Sequence, residues 1–165
     1  MAINETMRSR GTFSPAPEEE CASKTWHTNA YDLYGMPIPN VTQRFTSWKR
    51  GGVLQKYHVA LEVESSIDGT FQAPEADCNH SMLHVHPNGH HPPSGKQMPL
   101  IKIMDLFTSE DVRVSFHVAS TMLEMTVIKV LADGGEWNER AVCAGAAQGA
   151  REASSRIIRL QNASK

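Results

Sequence analysis

The chain is predicted to adopt an α+β fold: a mixed β-sheet flanked by an N-terminal and a C-terminal helix. Three observations predict it. Helix-start signals gather at Pro17 to Glu20, an alternation of period two runs through Val53 to Glu64, and Asn138 to Leu160 is rich in Ala, Arg and Glu. A length of 165 residues suits one domain with a core that needs no covalent staples. Residues 1–14 are polar and end at Ser14-Pro15, which reads as a flexible leader, so the single domain is expected to occupy residues 15–165.

Pro17 fits a first helical turn, and Glu18, Glu19 and Glu20 suit the positive end of a helix dipole. The first helix is therefore expected to run to about Leu33, stopped by Gly35 and by Pro37 and Pro39 beyond it. Residues 36–52 read as a connection ending in Gly51-Gly52. In the next segment Val59, Leu61 and Val63 alternate with Ala60, Glu62 and Glu64, the pattern of a half-buried strand. Asp68-Gly69 is a turn signal, and Thr70 to Ala73 is the expected return strand. Met82 to His86 is a third short strand. Pro87 to about Met98 is rich in Pro, Gly and His and is expected to be irregular, whereas the apolar stretch Pro99 to Leu106 should pack as a strand or short helix. Thr108 resembles a helix N-cap with Asp111 three residues on, although Val112 to Val118 alternates like a strand. Met122 to Leu131 reads as a further strand, turning at Asp133-Gly134-Gly135. The terminal segment favours a helix despite Gly145 and Gly149.

Composition narrows the function classes. The net charge is −2, with no basic excess to follow a phosphate backbone, so nucleic acid is not an expected partner. No apolar run in the sequence approaches the roughly 20 residues of a membrane span. The first eleven residues lack the apolar stretch of a signal peptide, and the expected location is the cytoplasm, or export without a classical signal. Cys21, Cys78 and Cys143 are odd in number and widely spaced, which fits free thiols better than a disulfide framework or a zinc ribbon. Ser94-Gly95-Lys96 lacks the glycine spacing of a phosphate loop.

The chemistry concentrates at His84-Val85-His86-Pro87. Histidines one residue apart on a strand point to one face, where both imidazoles can reach one metal ion. A carboxylate from Asp111 could complete a set of three protein ligands and leave a fourth position for water, the pattern of a catalytic zinc. The plain readings are a solvated histidine face and a helix-capping aspartate. His90 and His91 are most simply solvated loop residues, with substrate contact or a second metal site as the alternatives. His80 is a candidate for orienting a ligand.

The pairing of His84-x-His86-Pro87 with Thr108-x-x-Asp111 resembles the signature of JAB/MPN (JAMM) zinc metalloproteases. It is closest to bacterial JAB-like domains with a long loop between the two parts. The likeness covers roughly residues 55–132 and implies a cytidine-deaminase-like architecture. It also implies zinc (Zn2+) held by His84, His86 and Asp111, a metal-activated water attacking a peptide or isopeptide bond, and Thr108 donating to the oxyanion where the family has serine. A protein or peptide substrate follows, as does a role as a bacterial effector or toxin with an inhibitor or immunity protein. The family also uses an upstream glutamate as acid/base. Glu62 is the leading candidate here, with Glu64, Asp32 and Glu75 as alternatives. Where the family's glutamate tends to stand, this chain has Lys56 and Tyr57. A non-catalytic JAB-like binding module is therefore the alternative function. A cupin-like metal binder is a third, weakened because His90 and His91 stand where a cupin glutamate would follow.

Overall fold

The computed structural model describes residues 12–163, so most of the expected leader, residues 1–11, lies outside the described residues. The fold is α+β. A 3-10 turn over Glu18–Glu20 leads into six strands: β1 (Ala22–Tyr31), β2 (Pro37–Arg50), β3 (Val53–Ser65), β4 (Gly69–Asp77), β5 (Met82–His86) and β6 (Ile101–Asp105). Two long helices follow, α1 (Ser109–Ala132) and α2 (Glu139–Ala163). The sheet is a meander in chain order, with every neighbouring pair antiparallel.

Three expectations are corrected. The sheet is antiparallel rather than mixed. Among the described residues no N-terminal α-helix forms: the acidic turn stops after three residues, and the segment expected to be helical becomes β1. Thr25, Trp26, Thr28 and Tyr31 favour a pleated strand, and the expected connection 36–52 becomes mostly the partner strand β2. Lastly, the two strand-like stretches Val112 to Val118 and Met122 to Leu131 are one helix. Val112, Ser115, Ala119, Met122, Leu123, Thr126, Val127 and Val130 are buried at helical spacing, and α1 lays that stripe on the sheet. By length and composition alone α1 could cross a membrane, as a core helix often can.

The hairpin at Asp68-Gly69, the strand Met82–His86, the irregular segment after it and the C-terminal helix follow the sequence reading. Gly145 and Gly149 fit inside α2 because the helices cross there. A Cβ on them would lie 3.0 Å from the Thr126 carbonyl oxygen and 2.9 Å from that of Met122.

One sheet face carries the core. In register, Trp26, Phe45, Val59, Ala76, Val85 and Ile101 form a cross-strand row under the helices. Trp26, Phe45 and Tyr57 pack around Phe116 of α1, and Tyr57 donates a buried 2.7 Å hydrogen bond to Ser115. The opposite face is polar. One of its rows is Thr25, Thr46, His58, Asp77, His84 and Lys102; the next is His27, Arg44, Ala60, Glu75 and His86. An antiparallel sheet tolerates this division, one face apolar and the other open to polar groups.

Candidate metal centre

Antiparallel pairing builds the centre. Glu75 and Asp77, two residues apart on β4, share a face. β5 sets His86 opposite Glu75 and His84 opposite Asp77, and β3 sets His58 on the other side of Asp77. The segment after β5 then folds back and adds His90.

The six side chains fall into two groups. Asp77, His84 and His86 form one, with a potential ligand atom from each within 4.8 Å of the others; His58, Glu75 and His90 form the second by the same measure. In the first, His84 Nε2 lies 3.0 Å from Asp77 Oδ1, and the rings of His84 and His86 are 5.1 Å apart. Asp77 also accepts from the Asn79 backbone N–H at 2.9 Å. In the second, His58 Nε2 is 3.2 Å from one Glu75 oxygen and His90 Nδ1 is 2.7 Å from the other, which also accepts the His90 backbone N–H. The groups abut where the His86 and His90 rings come within 3.9 Å. Glu75, Asp77 and His84 are only 3, 2 and 3% exposed.

Burial and hydrogen bonding oppose each other here. Burial raises the Glu75 pKa, but hydrogen bonds from His58 and from the backbone and ring of His90 outweigh it and draw the carboxyl down to about 2. Burial also raises Asp77, yet hydrogen bonds from His84 and Asn79 leave it lowered. Burial disfavours the His84 cation, while the bond and charge of Asp77, with help from the Met82 backbone, leave its pKa raised. His86 is lowered by burial and by the neighbouring His90 and His84. Without metal, these opposed shifts favour a proton shared between His84 and Asp77, and they favour the neutral form of His86, which has a lone pair to offer. Two nitrogens and one oxygen suit zinc. The donor set fits a divalent cation that displaces this proton. Among the described residues, His84 Nδ1 is buried with no hydrogen-bond partner.

Of the expected site residues, His84 and His86 come together and Asp111 does not join them. Asp111 Oδ2 accepts from the backbone N–H groups of Phe107 (2.9 Å) and Thr108 (3.1 Å), and Thr108 Oγ1 accepts from Asp111 N at 3.1 Å. Both side chains are spent on the capping box of α1, which packs on the sheet face away from the histidines. Glu62 lies on the polar face but outside both groups, 3.3 Å from Arg44 and 3.8 Å from His27. Glu64 is exposed near the end of β3, and Asp32 caps the β1–β2 turn by accepting from Tyr34 and Met36. The His80 ring is 6.4 Å from that of His84.

The residues that reasoning from the sequence missed are Asp77 and His58. The clue was strand length. A thirteen-residue β3 can pair a return strand well beyond Ala73, and extending it past Pro74 sets Glu75 and Asp77 against the histidine strand. No family model, curated protein or solved structure matches the chain.

Proposed function

We propose that this chain is a metal-dependent hydrolase whose zinc is held by Asp77, His84 and His86. The observation that carries the reading is the convergence of these three ligands from two strands at a nearly buried carboxylate. The reading keeps the zinc and the peptide or isopeptide substrate that the JAB/MPN resemblance implies, and replaces Asp111 with Asp77 as the third ligand. Zinc bound there would lower the pKa of a water and polarise a substrate carbonyl. Asp77 is oriented by the Asn79 backbone N–H, a contact of the kind that fixes ligand geometry. In hydrolysis the water oxygen bonds to the carbonyl carbon, the C–N bond breaks, and a proton goes to the departing amine.

A specific observation favours a second reading, a metal-binding module without turnover. Neither nearby glutamate is a free base: Glu62 is paired with Arg44, and both oxygens of Glu75 are engaged. The two readings separate in an assay with tag-free protein, stripped by chelator and reloaded with zinc, against a peptide library and ubiquitin-like conjugates. Hydrolysis should require zinc, disappear in Asp77→Ala and persist in Asp111→Asn. Zinc binding without cleavage supports the module. Cleavage that survives both the chelator and Asp77→Ala overturns the metal reading.

A further inference from the structure

We infer that the centre takes two divalent cations side by side, the second held by His58, Glu75 and His90. The role of this pair rests on the hydrolase reading, while its ligands are argued independently. The second group repeats the composition of the first: two imidazoles and one buried carboxylate, drawn from separate segments and within 4.8 Å of one another. The two carboxylates occupy alternate positions of one strand, and the rings of His86 and His90 touch across the boundary, so the groups form one continuous patch.

The chain spends structure to bring the sixth ligand in. Pro87 and Asn88 turn the backbone after β5, and Gly89 follows at a φ of +75°. A Cβ there would lie 1.9 Å from the Gln72 carbonyl oxygen and 3.2 Å from Glu75 Oε2. Only glycine lets the backbone press this closely on β4 and so deliver the ring and the N–H of His90 to Glu75. His90 is 41% exposed at its side chain, leaving a route by which a cation can enter.

The charge balance points the same way. With metal bound, ligating imidazoles are neutral and ligating carboxylates ionised, so Glu75 and Asp77, buried on one face, are the two charged ligands of the set. One dication neutralises that pair. A second gives the centre net positive charge, to attract a developing oxyanion and to favour deprotonation of water. This answers the lack of a free carboxylate base, since a pair of cations activates water without one.

The test is metal stoichiometry of the full-length, tag-free protein. Chelator-stripped protein is titrated with zinc, and bound metal is read by native mass spectrometry and elemental analysis. Two zinc ions per chain are expected. His90→Ala, at a half-exposed position, should leave one, as should His58→Ala, with circular dichroism confirming the fold of each. The double variant His84→Ala/His90→Ala should bind none. One zinc per chain that is lost in His84→Ala but unchanged in His90→Ala and His58→Ala overturns the second site and leaves the first intact. Two zinc ions retained by both His90→Ala and His58→Ala also overturn it. No zinc in the unmutated protein defeats the hydrolase reading and this inference together.

Discussion

Glu139, on the first turn of α2, holds closed the segment that carries His90. Its Oε1 accepts from Ser94 Oγ at 2.7 Å and from Asn88 Nδ2 at 3.1 Å. Asn88 is 3% exposed and also bonds the Lys96 carbonyl (2.8 Å) and the Met98 N–H (2.9 Å). Replacing Glu139 by Ala removes both bonds to its carboxylate and leaves Asn88 its two backbone partners. Hydrogen bonds to a charged group contribute about 1.5–3 kcal/mol each, but Ser94 is exposed and water replaces part of that loss. A net cost of about 1.5–3 kcal/mol to segment closure follows, which raises the opened fraction roughly tenfold to a hundredfold. The assay is amide hydrogen exchange over residues 87–99, with tryptic cleavage after Lys96 as a second readout. Both should accelerate in Glu139→Ala and recover partly in Glu139→Gln, whose amide oxygen still accepts. A loss at the helix terminus alone would lower the melting temperature without singling out this segment. Unchanged exchange over 87–99 in a folded Glu139→Ala protein refutes the reasoning.

Metal-free protein should lose stability as acid is added from about pH 4.5 to about pH 2. The folded pKa of Glu75 is depressed to about 2 from 4.5, so its contribution is complete above the unfolded value and lost as pH falls through the folded one. The shift sets an upper limit of about 3 kcal/mol, read by urea denaturation in chelator across that range. Glu75→Gln should flatten the dependence, and an unaltered acid limb would remove the buried pairing as its cause. Gly149→Ala tests the helix crossing. The added Cβ meets the Met122 carbonyl oxygen at 2.9 Å, so overpacking of about 1–3 kcal/mol should exceed the helix-propensity gain of up to about 1 kcal/mol. Thermal denaturation should show a lower midpoint; a higher one would mean that the helices have room to part.

The parts of the fold legible in the sequence are those whose signals are local. The alternation of Val59, Leu61 and Val63, the Asp68-Gly69 turn and the Pro- and Gly-rich run after His86 each determine their own segment. The misread parts had local signals that tertiary structure overrode. Pro17 and three glutamates do start a helical turn, but the residues beyond it pair along β2, where Thr25 hydrogen-bonds Thr46 and Trp26 stacks on Phe45 and meets Phe116 of α1. In α1 a dense set of β-branched residues imitates strand alternation, and the stripe at Val112, Ala119, Leu123 and Val130 shows only when the whole length is counted. The centre divides along the same line. His84 and His86 are visible because two ligands sit on one strand, whereas Asp77 and His58 join them only through sheet register, which no local pattern records. Thr108 and Asp111 fit both a capping box and a ligand motif, and the backbone N–H groups of Phe107, Thr108 and Asp111 at the start of α1 claim them first.

Fold stability is a weak reason for a buried polar patch. Desolvating two carboxylates costs several kcal/mol each, and well-packed apolar residues at the same sites would often stabilise a fold at least as well. The helices already cover the other face, and strands β3, β4 and β5 pair through their backbones whatever those side chains are. Three of the six residues are nevertheless set in place by the backbone: Asp77 by the Asn79 N–H, Glu75 by the His90 N–H, and His90 by a glycine whose position tolerates no side chain. Such positioning orients the ligand atoms before any cation arrives, so less ordering has to be supplied on binding. A protein that kept these groups only for folding would have no need to orient them, and the energetic cost of the arrangement is the strongest argument that it serves a bound ion.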